Sequence, residues 1–207
     1  MRRPTVFIAD DDPSVRKGLE RLIKSAGFKA ETFASAEEFL QDKPYRGGPS
    51  CLVLDVRMPG LSGIDLQKGL IEKGISLPII FITGHGNIPM SVKAMKDGAV
   101  DFLPKPFDDK ELLSAIDRAI DKCVQIRKSE AEKAKIQRKV KTLTPKEYQV
   151  LRWVITGMLN KQIARKLKVT EKTIKVHRGR VMHKMQAVSV ADLVRLTQKC
   201  AITPAKK

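Results

Sequence analysis

The sequence lacks the features of a secreted or membrane-bound protein. No apolar run approaches the roughly 20 residues of a membrane-spanning helix, and the apolar run near the amino end is too short for a signal peptide. The three cysteines, Cys51, Cys123 and Cys200, are odd in number and share no metal-ligand spacing. We therefore expect a reduced, cytoplasmic protein that does not bind a membrane.

Acidic residues are scarce in the last third of the chain. Residues 1–130 contain 20 Lys and Arg against 19 Asp and Glu, whereas residues 131–207 contain 20 against 4, which gives net charges of +1 and +16. This asymmetry indicates that only the second region binds a polyanion. Nucleic acid is favoured over a membrane surface or a solubilising tail, because residues 143–200 also carry apolar residues at helical spacing.

Residues 1–125 alternate between short apolar runs and amphipathic helical patterns. This alternation predicts an α/β fold with a doubly wound parallel sheet, and we expect the flavodoxin-like strand order 2-1-3-4-5. A fourth helix is predicted from Asn87 to Lys96 and a fifth from Phe107. The predicted strands are Thr5–Ala9, Lys29–Phe33, Cys51–Leu54, Ile79–Ile82 and Val100–Leu103.

Carboxylates follow two of these strands. Asp10, Asp11 and Asp12 follow the first strand, and Asp55 follows the third. Because neighbouring parallel strands bring their carboxyl ends together, we expect Asp10, Asp11 and Asp55 to share one pocket. Crowded carboxylates repel one another, and a ligand set made only of oxygen suits Mg²⁺. The alternative, that these residues cap helices or turns, fits Asp12 best.

Two further strands end in residues that suit a phosphoryl group. Thr83 ends the fourth strand, before a glycine, and Lys105 follows the fifth. Pro106 raises the chance of a cis peptide bond after this lysine. A hydroxyl and an ammonium beside a metal-bound carboxylate would neutralise the oxygens of a phosphorylated Asp55. Asp55 would then be the nucleophile.

The segment after the fifth strand contains neither glycine nor proline from Asp108 to Thr144. Its apolar stripe continues past residue 125 and then gives way to a highly charged stretch. We predict a helical linker over residues 126–142 that joins the two domains. A flexible charged tether is the alternative.

Residues 143–207 predict an all-α domain of four helices. Thr144 and Glu147 form a capping box at the first helix, with a proline at the first helical position. Asn160 is expected to cap the second helix and Thr170 the third. Two helices joined by a turn of a few residues are typical of the helix-turn-helix pattern.

The third helix of this domain presents a basic face to solvent. Val176 is an apolar residue on this polar face, which suits contact with a thymine methyl group in the major groove. Phosphate contacts position a protein on DNA, and for any single lysine a solvated surface is the alternative. His177 is predicted to pack in the core. The candidate DNA-binding residues are Lys161, Thr170, Lys172, Thr173, Lys175, Val176, Arg178 and Arg180.

The motifs resemble two known families. Residues 1–125 resemble the receiver domain of two-component signalling. Residues 143–207 resemble the LuxR/FixJ-type DNA-binding domain, so the chain resembles a FixJ/NarL-class response regulator. The first resemblance rests on Ala-Asp-Asp-Asp-Pro-Ser-Val-Arg (9–16), Leu-Asp-Val-Arg-Met-Pro-Gly (54–60), Phe-Ile-Thr-Gly-His (81–85) and Asp-Phe-Leu-Pro-Lys-Pro-Phe (101–107). The second rests on residues 143–147, 160–164 and 172–178.

The receiver resemblance implies a metal site around the phosphoacceptor. Asp55 would accept the phosphoryl group. Asp11 and Asp55 would bind Mg²⁺ directly, together with the backbone carbonyl of Arg57, and Asp10 would act through water.

The same resemblance implies a switch. Thr83 and Lys105 would hold the phosphoryl oxygens, and Phe102 would turn inward when Thr83 moves. Ordinary packing on the strand also explains an aromatic residue at position 102.

We therefore expect a transcription factor without independent substrate turnover. A histidine kinase would phosphorylate Asp55 in the presence of Mg²⁺, with a small acyl phosphate as the alternative donor. The protein would then bind promoter DNA as a homodimer and contact RNA polymerase. A phosphatase with an aspartate nucleophile would need an acidic residue at position 57, where the chain has Arg57. An architectural DNA protein with a degenerate receiver is disfavoured, because Asp11, Asp55, Thr83 and Lys105 are all present.

Overall fold

The computed structural model describes residues 3–42, 48–84 and 88–206. The chain divides into two compact units, Met1–Arg127 and Lys128–Lys207. Each unit has its own hydrophobic core. None of the helices in the described ranges combines the length and the apolar character needed to span a bilayer.

The first unit is built on a parallel sheet. Among the described residues, its strands are β1 (Thr5–Ala9), β2 (Lys29–Phe33), β3 (Ser50–Asp55), β4 (Ile79–Thr83) and β5 (Asp101–Pro104). The strand order is β2-β1-β3-β4-β5 and every pair is parallel, which confirms the predicted topology. All residues of β3 and β4 are buried, which explains their continuous apolar runs.

Helices cover both faces of this sheet. They are α1 (Pro13–Ser25), α2 (Ala36–Asp42), α3 (Gly63–Glu72), α4 (Ile88–Lys96) and α5 (Asp109–Lys141). One core cluster packs α2, α3 and α4 against the sheet, and the other packs α1 and the first part of α5. The predicted start of α4 at Asn87 lies outside the described residues.

The start of α5 differs from the prediction. The helix begins at Asp109 rather than at Phe107. Asp108 forms the cap, because its Oδ1 accepts a hydrogen bond from the Lys110 amide at 2.7 Å and its carbonyl accepts one from the Leu112 amide at 3.2 Å. The helix then continues to Lys141, so most of the segment predicted as a linker is helical.

The second unit is all helical in its described residues. The last turns of α5 are followed by α6 (Pro145–Val154), α7 (Asn160–Leu167), α8 (Glu171–Met185) and α9 (Val190–Lys199). Ile136 of α5 is 5% exposed and joins a core that includes Leu151, Ile174 and Val181, all fully buried. The carboxy-terminal part of α5 therefore belongs to the core of this unit.

The prediction that Asn160 caps α7 is wrong. The cap residue is Leu159, whose amide donates to Gln162 Oε1 at 2.9 Å. Asn160 is the first helical residue, and its Oδ1 accepts a hydrogen bond from Arg178 Nη1 at 2.9 Å. The side chain of Asn160 thus joins α7 to α8, and the local sequence gives no sign of this partner.

Candidate functional site

The ends of β1 and β3 bring three carboxylates together. Ala9 pairs with Leu54 in the parallel register, so Asp10 and Asp55 lie side by side at the carboxyl edge of the sheet. Carboxylate oxygens of Asp10, Asp11 and Asp55 all lie within 4.8 Å of one another. Asp10 and Asp55 are buried, whereas Asp11 is exposed, so the cluster opens to solvent on one side. These oxygen ligands fit Mg²⁺.

Lys105 supplies positive charge to this cluster. Its Nζ lies 2.6 Å from Asp10 Oδ2 and 3.7 Å from Asp55 Oδ1. The peptide bond to Pro106 is cis, as anticipated from the sequence. The backbone amide of Lys105 donates to the Thr83 carbonyl at 2.7 Å, which fixes the loop that carries the lysine beside the end of β4.

The environment of Asp55 disfavours its charged form. Burial raises the pKa of this carboxyl above its ordinary value, the ammonium of Lys105 opposes the change, and the neighbouring carboxylate of Asp10 adds to it. The ammonium of Lys105 also shares this edge of the sheet with three carboxyl groups, those of Asp10, Asp11 and Asp55. A divalent cation would relieve this repulsion and favour the ionised carboxylates.

Two contacts that the sequence does not predict hold Asp10. Its Oδ1 accepts a hydrogen bond from the Asp12 amide at 2.9 Å, and its carbonyl accepts one from Arg16 Nη1 at 2.6 Å. Asp12 itself caps α1, because its Oδ1 accepts from the Ser14 amide at 2.7 Å. The helix-cap interpretation is therefore correct for Asp12.

The loop after Asp55 requires a glycine where α3 begins. A Cβ atom on Gly63 would lie 2.2 Å from the backbone oxygen of Asp55. The Gly63 amide donates to the Val56 carbonyl at 3.0 Å, which keeps α3 close to the end of β3.

Glu37 of α2 supports the loop between β3 and α3, since its Oε1 accepts a hydrogen bond from the Leu61 amide at 2.8 Å. The exposed Arg57 lies in this loop. The close approach of Gly63 to Asp55 and the hydrogen bond from Leu61 to Glu37 are not predicted from the sequence.

Thr83 and Phe102 lie on the neighbouring strands. Thr83 is the last residue of β4 and is 1% exposed. Phe102 is half-buried on β5, pairs with Phe81 in the strand register and has its ring centroid 6.1 Å from that of Phe81. The structure thus brings Thr83 and Lys105 to the same edge of the sheet as the acidic cluster. Phe102 lies on β5, the strand next to the one that carries Thr83. His85, at the end of the predicted motif, lies outside the described residues.

In the second unit, α8 presents the predicted basic face. Ile174, Val181 and Met185 are buried, which fixes the opposite face of the helix toward solvent. Val176 is 48% exposed although it is apolar. The other exposed candidates are Lys161, Thr170, Lys172, Lys175 and Arg180.

Three of the predicted residues on or before α8 have partners within the unit. Thr170 caps the helix, because its Oγ1 accepts from the Thr173 amide at 3.2 Å, and the two hydroxyls lie 2.8 Å apart. Arg178 is half-buried and bonds to Asn160 of α7. His177 is half-buried, and its Nδ1 has no hydrogen-bond partner among the described residues.

Known protein families match both units. The family of response regulator receiver domains matches residues 6–117. The luxR family of bacterial regulatory proteins matches residues 141–197. Nodulation protein W of Bradyrhizobium diazoefficiens is 48% identical over 198 residues, which cover 96% of this chain and 87% of that protein.

Two further relatives match over nearly the whole chain. The transcriptional regulatory protein FixJ of Bradyrhizobium diazoefficiens is 44% identical, with 95% of this chain and 96% of that protein covered. The solved structure of the response regulator StyR is 47% identical, with a TM-score of 0.80 over 96% of this chain and all of that one. The chain therefore belongs to the FixJ-like response regulators of two-component systems, which join a receiver domain to a LuxR-type DNA-binding domain.

Proposed function

We propose that phosphorylation of Asp55 controls DNA binding by this response regulator. The observation that carries the proposal is the position of Asp55, whose Oδ1 lies 3.7 Å from the Lys105 ammonium and within the cluster of three carboxylates. The receiver would comprise residues 1–125, the helical linker residues 126–142 and the DNA-binding domain residues 143–207. A sensor histidine kinase is the expected phosphoryl donor.

The pocket would hold one Mg²⁺ during phosphoryl transfer. Asp11, Asp55 and the Arg57 carbonyl would bind it directly. Asp10 would act through water, because Asp12 and Lys105 already donate hydrogen bonds to its two carboxylate oxygens. When bound, the ion would supply positive charge to the phosphoryl oxygens.

Asp55 would be the nucleophile of the transfer. Its carboxylate oxygen would form a bond to phosphorus while the bond from phosphorus to the kinase imidazole nitrogen breaks, and the imidazole would leave as the neutral base after protonation. Lys105 and Thr83 would bind the oxygens of the new phosphoryl group. The protein would take part in its own phosphorylation and dephosphorylation without turnover of any other substrate.

The phosphoryl group would shift an equilibrium between two conformations of the receiver. Thr83 would move toward the phosphoryl oxygens, and Phe102 would take an inward orientation. The altered face of α4 and β5 would then favour a homodimer. A dimer would place two copies of the DNA-binding domain on paired half-sites of promoter DNA, where RNA polymerase is the expected further partner.

The second unit would bind DNA through α8. Lys172, Lys175 and Val176 would contact base edges in the major groove. Thr170 and Thr173 would lie near the same groove at the start of the helix. Phosphate contacts, which fix the position of the helix, would come from Lys161, Arg178 and Arg180.

Intact-mass spectrometry and peptide mapping test the phosphorylation step. The full-length protein is treated with acetyl phosphate and Mg²⁺, with a parallel sample in which EDTA removes the metal. We expect one added phosphoryl group, located on Asp55, and none when EDTA is present. An adduct on another residue, or one that forms equally well without metal, would contradict the proposed site.

A further inference from the structure

Neither a salt bridge nor the helix dipole explains the presence of Arg16 in α1. Arg16 is the fourth residue of this helix, and the first turn contains no acidic side chain. The helix dipole favours acidic side chains near the amino end of a helix and basic ones near the carboxyl end. Within the described ranges, Arg16 forms no salt bridge with a carboxylate. The stability of α1 therefore does not account for this cation.

The side chain of Arg16 reaches back across the start of α1 to the end of β1. Its Nη1 donates to the Asp10 carbonyl at 2.6 Å, while its backbone amide donates to the Asp12 carbonyl at 3.0 Å. A hydrogen bond from a charged donor is stronger than one between neutral groups. The half-buried Arg16 therefore fixes the orientation of the peptide group that joins Asp10 to Asp11.

This peptide group determines where the Asp11 carboxylate lies. Both carboxylate oxygens of Asp10 are already engaged, by the Asp12 amide and by Lys105 Nζ. Asp11 is exposed, and no group in the described part of the chain donates a hydrogen bond to its side chain. The Asp11 carboxylate is therefore held in the acidic cluster through its backbone alone, and the bond from Arg16 anchors that backbone on one side.

We propose that Arg16 is a positioning residue of the metal site, which presents the Asp11 carboxylate to Mg²⁺ by holding the Asp10 carbonyl. This role rests on the proposed binding of Mg²⁺ by Asp11 and Asp55. Removal of a group that orients a metal ligand typically weakens metal binding by about 10–100-fold. Arg16 acts on its ligand through the backbone, so we expect a loss of about tenfold.

The charge of Arg16 and its positioning role predict opposite effects when the side chain is removed. The guanidinium is a cation near a site for a cation, so its charge repels Mg²⁺ and its loss alone should tighten binding. If the guanidinium instead positions Asp11, its loss should weaken binding. The direction of the change in the dissociation constant therefore separates the two effects.

Mg²⁺ is titrated into the unphosphorylated, full-length ¹⁵N-labelled protein at constant ionic strength, and the backbone amides of Asp11 and Val56 are followed by NMR. We expect Arg16→Met to raise the dissociation constant about tenfold. Lys17→Met removes the same charge from an exposed neighbouring position and should not weaken binding. Equal or tighter binding by Arg16→Met would overturn the proposal alone. Wild-type amides that do not respond to Mg²⁺ would overturn the proposed metal site as well.

Arg16→Lys adds a conservative variant to the test. It keeps the charge and one donor, but an ammonium does not reproduce the planar fork of a guanidinium. We expect its affinity for Mg²⁺ to lie between those of the wild type and Arg16→Met, whereas charge alone predicts wild-type affinity for Arg16→Lys and tighter binding by Arg16→Met. If Arg16→Met does not fold, wild-type affinity of Arg16→Lys would overturn the proposal.

Discussion

Each unit contains a buried carboxylate paired with a lysine. The two ion pairs have the same nitrogen–oxygen distance but differ in the groups that surround the carboxylate. The distance between nitrogen and oxygen is 2.6 Å both for Asp10 with Lys105 and for Glu147 with Lys184. In both pairs the carboxylate side chain is at most 3% exposed, while the lysine keeps some contact with solvent. Distance and burial therefore do not distinguish the two pairs.

The neighbouring groups do distinguish them. Around Glu147 the partners are donors, since its Oε2 accepts from the Thr144 amide at 2.9 Å and from Lys184. Hydrogen bonds to Glu147, first from Lys184 and then from the Thr144 amide, lower the pKa of this carboxyl to about 2. In the receiver, Lys105 lies near two carboxylates, those of Asp10 and Asp55, and the pKa of Asp55 is raised by burial despite the lysine. A carboxylate surrounded by donors stabilises a fold, whereas a cluster with more carboxylates than cations favours an added cation.

The largest effect is expected from removing the nucleophile of the unbalanced cluster. Asp55→Asn should abolish phosphoryl incorporation from acetyl phosphate, because the neutral amide is a poor nucleophile. Asp65→Asn, an exposed residue at the start of α3, is the matched control and should be phosphorylated as the wild type is. Intact mass measures both. A phosphoryl adduct on the Asp55→Asn protein would contradict the account.

The next largest effect is expected from Lys105, the positive charge beside the carboxylates of Asp10 and Asp55. Lys105→Met should slow phosphorylation by about 100-fold, the size of effect seen when one preorganised charge or donor is lost from a reacting centre. Lys110→Met removes an equal charge from the exposed first turn of α5 and should leave the rate unchanged. The rate of phosphoryl incorporation over time measures both variants. Equal rates for Lys105→Met and the wild type would remove Lys105 from the mechanism.

A change to Glu147, the paired carboxylate of the second unit, should affect the free energy of unfolding and not the rate of phosphorylation. Glu147→Gln keeps the side-chain shape but weakens the bond to Lys184, so it should lower the free energy of unfolding by about 1–3 kcal/mol. Trp153 is the sole tryptophan and lies on α6, so its fluorescence during urea denaturation reports on this unit. Phosphorylation of Asp55 should be unaffected. A loss of phosphorylation with unchanged stability would contradict the structural role of Glu147.

The stability that Glu147 contributes should depend on pH. The pKa of Glu147 is about 2 in the folded protein and is lowered from 4.5, so its ionised form favours folding above pH 4.5. This contribution is lost as the pH falls from about 4.5 toward 2. The difference in stability between the wild type and Glu147→Gln should shrink over this range. A difference that stays constant would show that the charge of Glu147 does not stabilise the unit.

The smallest effect is expected from one lysine of the basic surface. Lys175→Ala should weaken DNA binding severalfold and, if the lysine contacts a phosphate, reduce the slope of log K against log salt concentration by about one. Lys135→Ala removes the same charge from the exposed side of α5 in the same unit and should leave the slope unchanged. Fluorescence anisotropy with labelled DNA at several salt concentrations measures the slopes. Identical slopes for the two variants would show that Lys175 affects DNA binding only through the net charge of the protein, which would contradict a direct phosphate contact.

The sequence predicts the features that follow from strand order and from local spacing. Asp10 and Asp55 could be placed together because adjacent parallel strands end at one edge of the sheet. Thr144 and Glu147 could be identified as a capping box because their spacing is local, and both hydrogen bonds are present.

The remaining contacts depend on side chains that are distant in sequence. Lys184 is 37 residues from Glu147, and the bond between Asn160 and Arg178 spans 18 residues, with no local pattern to indicate either. The need for glycine at position 63 arises from the backbone oxygen of Asp55, which becomes a neighbour after folding. These interactions follow from packing geometry, which helical periodicity and strand order do not specify.

The most direct test of the central claim is the effect of phosphorylation on DNA affinity. The dissociation constant of the full-length protein is measured by anisotropy, with and without acetyl phosphate and Mg²⁺, on a DNA fragment selected from a random pool. We expect phosphorylation to tighten binding by about tenfold, within the usual range of coupling free energies, and we expect no change for Asp55→Asn. Equal affinity of the phosphorylated and unphosphorylated wild type would contradict the account.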